Sequence, residues 1–175
     1  MLVEMGGTSF EASMITGGEL PKSADTELHG FPIGVAAVDV HSIGAGGGSI
    51  AWIDTGGMLR VGPQSAGAAP GPACYGLGGT QPTVTDANLV LGYLNEENFL
   101  GGRMQLDRGA AERAIGGLGE TLDMTNVDVA AAIYRIVNTE MVGAMRAVSV
   151  MRGVDPRRYT VVVGGGAGGA HAAKI

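Results

Sequence analysis

The sequence predicts a mixed α/β domain, and three observations carry that expectation. Short apolar runs parted by glycine pairs fill the first third of the chain, helical spacing of apolar residues dominates the middle, and a valine run near the end leads into a glycine cluster. Apolar residues make up 45% of the 175 and charged residues 16%, too much burying material for a disordered chain. With 32 Gly and 23 Ala but no Gly-X-Y period, collagen and low-complexity repeat are excluded, and a folded domain rich in glycine loops remains.

Leu2 to Met5 reads as a short strand, Gly6-Gly7 as a turn and Thr8 to Ile15 as a returning strand, closed by Gly17-Gly18. Residues 19–38 form a polar connector in which Phe31, Ile33 and Val35 fit an edge strand, since Pro32 cannot donate to a second neighbour. After the Gly44 to Ser49 turn, Ile50 to Asp54 and Met58 to Val61 predict a second hairpin. The Gly- and Pro-rich stretch 62–82 is longer than a connection needs, and such loops are usually functional.

Helical text then begins. Thr85 or Asp86 can cap a segment through Leu94, Asp107 caps a glycine-interrupted helix over 107–119, and Thr125 or Asn126 opens the strongest helix, over 127–151. In the last, Val129, Ile133, Val137, Met141, Ala144 and Val148 fall on one face. Tyr159 to Val163 predicts a buried strand, Gly164 to Gly169 a glycine turn, and Ala170 to Ile175 the opening of a helix. The expected layout is one partial domain over 1–175, with a β-hairpin region at 1–61, a loop at 62–82, a helical region at 83–158 and a strand, glycine loop and helix start at 159–175.

The balance of charge, −6, is wrong for a nucleic-acid surface, and no apolar run is long enough for a membrane span. The single cysteine, Cys74, forms no internal disulfide, and the start lacks a secretory signal, so the cytoplasm is the expected compartment.

Two places fit anion chemistry. A strand, glycine turn and helix start at 159–175 would turn backbone N–H groups toward a phosphate, with Gly164, Gly166 and Gly169 matching G-x-G-x-x-G; a tight turn without ligand fits the same text. Glu4 to Ser9 offers a carboxylate, a glycine turn and two hydroxyls, suited to phosphate with Mg²⁺ held by Glu4, or to an ordinary hairpin. Asp39, His41, Cys74 and His171 are the side chains suited to a transition metal or to acid–base work; Asp39 and His41 share a face of an extended segment that a third ligand from the long loop would complete, and Glu4, Asp39 and His41 are the candidate metal residues. Thr83, Thr85, Asp86 and Asn88 cluster at a helix start, as a cap or facing a substrate, and His171 opens the final segment.

The strings MGGTS at 5–9, GAGGGSIA at 44–51, VGPQSAGAAPGPACYG at 61–76, PTVTDANLVLG at 82–92, RGVDP at 152–156 and GGAGGAH at 165–171 make nearly the whole chain resemble the hydantoinase A / oxoprolinase family. That resemblance implies the second lobe of an actin-like ATPase fold of the sugar kinase and heat-shock ATPase type, incomplete here, with a first lobe before Met1 and more chain after Ile175. It implies ATP and Mg²⁺ as cofactors, Gly6, Gly7, Thr8 and Ser9 on phosphate, Gly164, Gly165, Gly166 and Gly168 on the nucleoside side, and Glu4 on Mg²⁺ or water. Glu4, His41 and Asp86 are the candidate catalytic groups.

The implied activity is ring opening of a cyclic amide such as hydantoin or 5-oxoproline through phosphorylation of the amide oxygen, beside a hydantoinase B-type partner subunit. An ATP-dependent ketone carboxylase subunit and a non-catalytic, partner-binding segment are the alternatives. Glu4 stands where the family pattern has Asp, Glu11 lies one position past the usual acid, and Gly169-Ala170 replaces Pro-Leu, which loosens both loops.

Overall fold

Alternation dictates the first strand: in β1 (Leu2–Met5), Val3 and Met5 are buried while Leu2 and Glu4 face outward. The computed structural model describes residues 1–23, 26–28 and 31–175. β1 turns at Gly6-Gly7 into β2 (Phe10–Ser13), antiparallel with Met5 opposite Phe10 and Leu2 opposite Ser13. The returning strand is shorter than the expected Thr8 to Ile15, because Thr8 and Ser9 belong to the turn, where Gly6 N–H donates to Ser9 O at 3.0 Å. The connector supplies β3 (Lys22–Ser23), β4 (Thr26–Leu28), β5 (Phe31–Ile33) and β6 (Ala37–Val38), paired β3 with β6 and β4 with β5. Pro32 thus sits in a strand with one described neighbour, as its missing N–H requires.

β7 (His41–Ile43) pairs with β2, and near the other end β10 (Val162–Gly164) pairs parallel with β1, giving a four-stranded sheet ordered β10-β1-β2-β7. β8 (Ser49–Ile53) and β9 (Leu59–Ser65) form the expected second hairpin, but β9 runs four residues past Val61, through Pro63, with a bulge between Ser49 and Ala51. The expected loop 62–82 therefore begins only after Ser65, and a 3-10 turn at Ala73–Tyr75 interrupts it.

Helix α1 (Val84–Val90) is capped by Thr83, ahead of the expected Thr85 or Asp86, in a capping box with Asp86. α2 (Arg108–Leu122) is capped by Asp107 as expected and outlasts its glycines; the Met124 carbonyl would stand 2.7 Å from a Cβ on Gly119, so that glycine serves close packing. α3 (Asn126–Val148), capped by Thr125, buries its whole predicted stripe against β2, β7, β9 and α1. It ends at Val148, earlier than expected, and a 3-10 turn closes at Gly153 with φ of 76°.

Two expectations at the end of the chain fail. Among the described residues β10 has one neighbour, and Val162 is 57% exposed where a buried strand was expected. The end of the glycine cluster forms a 3-10 turn, Gly168–Ala170, irregular turns follow, and no α-helix forms over Ala170 to Ile175. Its N–H groups point back into the chain: Ala170 donates to Ala167 O and His171 to Gly168 O. No helix among the described residues is long and apolar enough to cross a membrane.

Candidate functional site

Three glycine loops lock together at one end of the sheet. The carbonyls of Gly6 and Gly7 accept from the amides of Gly47 and Gly48 at 3.0 and 2.6 Å, and the Met5 carbonyl accepts from Ala167 N–H at 3.0 Å. The Gly47 carbonyl then receives both the amide and the hydroxyl of Thr85, each at 2.8 Å, which fixes α1 to the same knot. Close approach requires glycine at several of these positions. A Cβ on Gly48 would stand 2.9 Å from the Gly7 carbonyl, and one on Gly165, whose φ is 84°, would collide with the Met5 backbone.

Gly7 and Gly166 differ. Nothing lies within 4 Å of where their Cβ atoms would stand, and their N–H groups donate to no group among the described residues. Both line a cleft of about 580 Å³, with Gly6, Thr8, Gly47 and Gly48 on the glycine side and Tyr75, Tyr93, Leu94, Phe99 and Met104 on the apolar side. Unpaired N–H groups beside open space fit an oxygen-rich anion such as phosphate, and the apolar half fits a ring.

Behind the cleft runs a buried relay. His171 is wholly enclosed, stacked on Tyr134 at 4.8 Å, which stacks on Tyr93 at 4.8 Å in turn. Its Nε2 meets Asn88 Nδ2 at 3.0 Å and its Nδ1 meets Asn138 Oδ1 at 3.3 Å. Burial pushes its pKa down to about 4, so the ring is neutral at pH 7. Tyr134 also donates its hydroxyl to the Ala170 carbonyl at 2.9 Å, holding the last glycine loop against α3.

The expected site residues divide. Gly6, Gly7, Thr8 and Gly166 line the cleft, while Gly165 and Gly168 shape its loops from behind and Gly164 pairs with Glu4 across β10 and β1. Ser9 closes the hairpin turn through its carbonyl. Glu4 faces outward on β1, directly across from Glu11 on β2. Asp86 has no exposed surface, and its oxygens accept from the amides of Ala73, Cys74 and Thr83 at 3.2, 2.8 and 2.9 Å and from the Thr83 hydroxyl at 2.7 Å. A carboxylate so engaged fastens the 62–82 loop to α1.

The transition-metal expectation fails on placement. No group of three His, Cys, Asp or Glu side chains converges among the described residues. Asp39 and His41 lie at the β7 edge, two strands from Glu4, and Arg152 pairs with both Asp39 oxygens, one contact at 3.2 Å. That guanidinium holds the Asp39 carboxyl below its usual range. Arg152 and Asp39 thus form an ion pair across the end of α3 and the β7 edge. Burial and the Asp86 carboxylate push the Cys74 thiol up, so it stays protonated.

Sequence reasoning missed Gly47, Gly48, Tyr93 and the apolar wall at 94–104 as cleft residues. The signal for the first two was present, since GAGGGS was read as a tight turn; nothing local marks the others.

Glycine loops at the end of a mixed sheet, opening onto one cleft, define an α/β lobe. The chain belongs to the Hydantoinase/oxoprolinase family, whose profile matches residues 1–175. It is 48% identical over 174 residues to the caprolactamase subunit alpha of Pseudomonas jessenii, covering 99% of this chain and 25% of that one. It is 36% identical to a 5-oxoprolinase of Dictyostelium discoideum, covering 98% and 14%. A nucleotide-free structure of acetone carboxylase, described as ATP-dependent, superposes with a TM-score of 0.92 at 31% identity, covering 99% of this chain and 25% of that chain. The ATP-dependent caprolactamase structure superposes at 0.89 with 48% identity, covering 98% and 25%. The chain thus spans a quarter or less of the length of these relatives. The fold is a mixed α/β one shared with ATP-dependent enzymes of the family, consistent with part of an actin-like ATPase fold.

Proposed function

We propose that the chain is the glycine-loop lobe of an ATP-dependent cyclic-amide hydrolase, with the nucleotide's phosphates in the cleft. The observation that carries this reading is the pair Gly7 and Gly166, whose N–H groups are unpaired and whose missing side chains leave open space. Bound ATP supplies a phosphoryl group for the amide oxygen, which turns a poor leaving oxygen into a good one before the ring opens. Gly7, Thr8 and Ser9 donate to phosphate oxygens while Gly6, its N–H given to Ser9, shapes the turn; Gly166 faces the nucleotide, and Gly164, Gly165 and Gly168 hold its loop in place. Glu4 and Glu11, like charges directly opposed across two strands, hold Mg²⁺, which relieves their repulsion. Asp86 positions the loop, and His41 and Asp39 take no part.

The substrate is a small lactam, the partner a hydantoinase B-type subunit, and the compartment the reducing cytoplasm, in keeping with the one unpaired cysteine. Isothermal titration of ATP·Mg²⁺ into the chain tests the reading. Binding that weakens at least about tenfold in Gly7→Val and Gly166→Val supports it, and equal binding by both variants would sink it.

The acetone carboxylase likeness favours a second reading, an ATP-dependent ketone carboxylase subunit that uses the same cleft. In the assembled complex, ATP hydrolysis that rises with a lactam alone marks the hydrolase. A requirement for ketone plus bicarbonate marks the carboxylase.

A further inference from the structure

One buried side-chain polar atom among the described residues has no partner: Asn88 Oδ1, on a residue that is 2% exposed and lines the cleft. Its orientation follows from the relay behind it. Asn138 Nδ2 donates to the Tyr134 carbonyl at 2.6 Å, which leaves Asn138 Oδ1 as an acceptor toward His171. His171 therefore carries its proton on Nδ1 and accepts on Nε2, and only Asn88 Nδ2 can donate there. Turning Asn88 over would set its oxygen against the lone pair of Nε2. The relay thus holds the Asn88 oxygen unpaired, and an unpaired buried acceptor is costly unless a donor reaches it.

We infer that Asn88 Oδ1 receives an N–H of the ligand that enters the apolar half of the cleft. The inference rests on the nucleotide-and-lactam reading above. Neither phosphate oxygens nor a ketone carbonyl can donate, whereas a lactam ring nitrogen and the exocyclic amine of adenine both present an N–H on a planar group. Thr85, one helical turn earlier on α1, is spent on Gly47, so Asn88 is the residue of that helix left to meet a ligand. Tyr93 closes the wall beside it, stacked on the Tyr134 that the relay holds.

The test follows the Asn88 side-chain amide and the Gly7 and Gly166 backbone amides by nitrogen-15 NMR on the 175-residue chain. Two probe pairs are titrated: 2-piperidone against its N-methyl derivative, and ATP·Mg²⁺ against the purine riboside triphosphate that lacks the amine. The inference predicts that one N–H-bearing probe moves the Asn88 resonances and that its partner binds about tenfold more weakly without moving them. The lactam pair or the nucleotide pair then identifies the source. In Asn88→Leu the difference within that pair disappears. If ATP·Mg²⁺ moves Gly7 and Gly166 but no probe moves Asn88, or both members of each pair act alike, the inference is overturned while the nucleotide reading stands. If ATP·Mg²⁺ moves neither glycine, the reading fails and the inference with it.

Discussion

Thr85 gives both its backbone and its side-chain proton to one acceptor, the Gly47 carbonyl, at 2.8 Å each. A residue at the start of a helix and a residue in a glycine loop 38 positions earlier are thereby fixed as one piece. Thr85→Val keeps the shape and removes the hydroxyl donor inside a buried site. The expected loss is about 1–2 kcal/mol of unfolding free energy, read from urea denaturation, with a larger proportional loss of ATP·Mg²⁺ affinity.

Asp86→Asn tests the carboxylate that fastens the 62–82 loop. The change places an NH₂ group among the donors that now point at oxygen, so at least one buried donor loses its acceptor. Destabilisation of about 3 kcal/mol or more is expected, with new protease cleavage between Gly67 and Gly79.

His171 sets a pH dependence. Its pKa in the folded chain, about 4, lies below the ordinary 6.5, so the unfolded chain binds the proton first as pH falls. Stability is complete above 6.5 and declines as pH drops from 6.5 toward 4, by about 3 kcal/mol over that window. His171→Gln should flatten this part of the curve. An unchanged slope would show that the ring is charged in the fold.

Cys74 should be silent to thiol reagents. It has no exposed surface and its thiol is held protonated, so alkylation at pH 8 is expected only under denaturant. Mass spectrometry of the native chain after iodoacetamide gives the answer.

The glycines divide into two experimental classes. Gly165→Ala forces a Cβ against the Met5 backbone at a φ of 84° and should prevent proper folding, seen as lost thermal cooperativity. Gly7→Ala meets nothing and should melt within a few degrees of the parent, while phosphate-bearing ligands bind it more weakly.

Legibility in the sequence followed the range of the interactions. The α3 stripe and the β1–β2 hairpin were readable because a period of 3.6 or 2 is a local property, and every residue of the predicted stripe is buried. The glycine strings also carried the family. What escaped was set by distant contacts. The valines of Tyr159 to Val163 looked like a buried strand, but what pairs with and covers a strand is written elsewhere in the chain. Asp86 looked reactive, yet its partners Ala73 and Cys74 come from a loop that only folding brings near. Asp39 and His41 looked like ligands until Arg152, 113 residues later, arrived to neutralise the first.

The wiring of the three loops has an electrical consequence. Gly6 and Gly7 turn their carbonyls inward to Gly47 and Gly48, which swings the negative ends of those peptide groups away from the cleft. None of the residues lining the cleft is Lys, Arg, His, Asp or Glu, although the chain as a whole carries −6. A phosphate placed there as proposed meets oriented peptide groups from the cleft wall, with no lysine or arginine lining it whose charge dissolved salt would screen. Anion capture here should therefore hardly change between dilute buffer and physiological salt, unlike capture by a lysine-lined pocket.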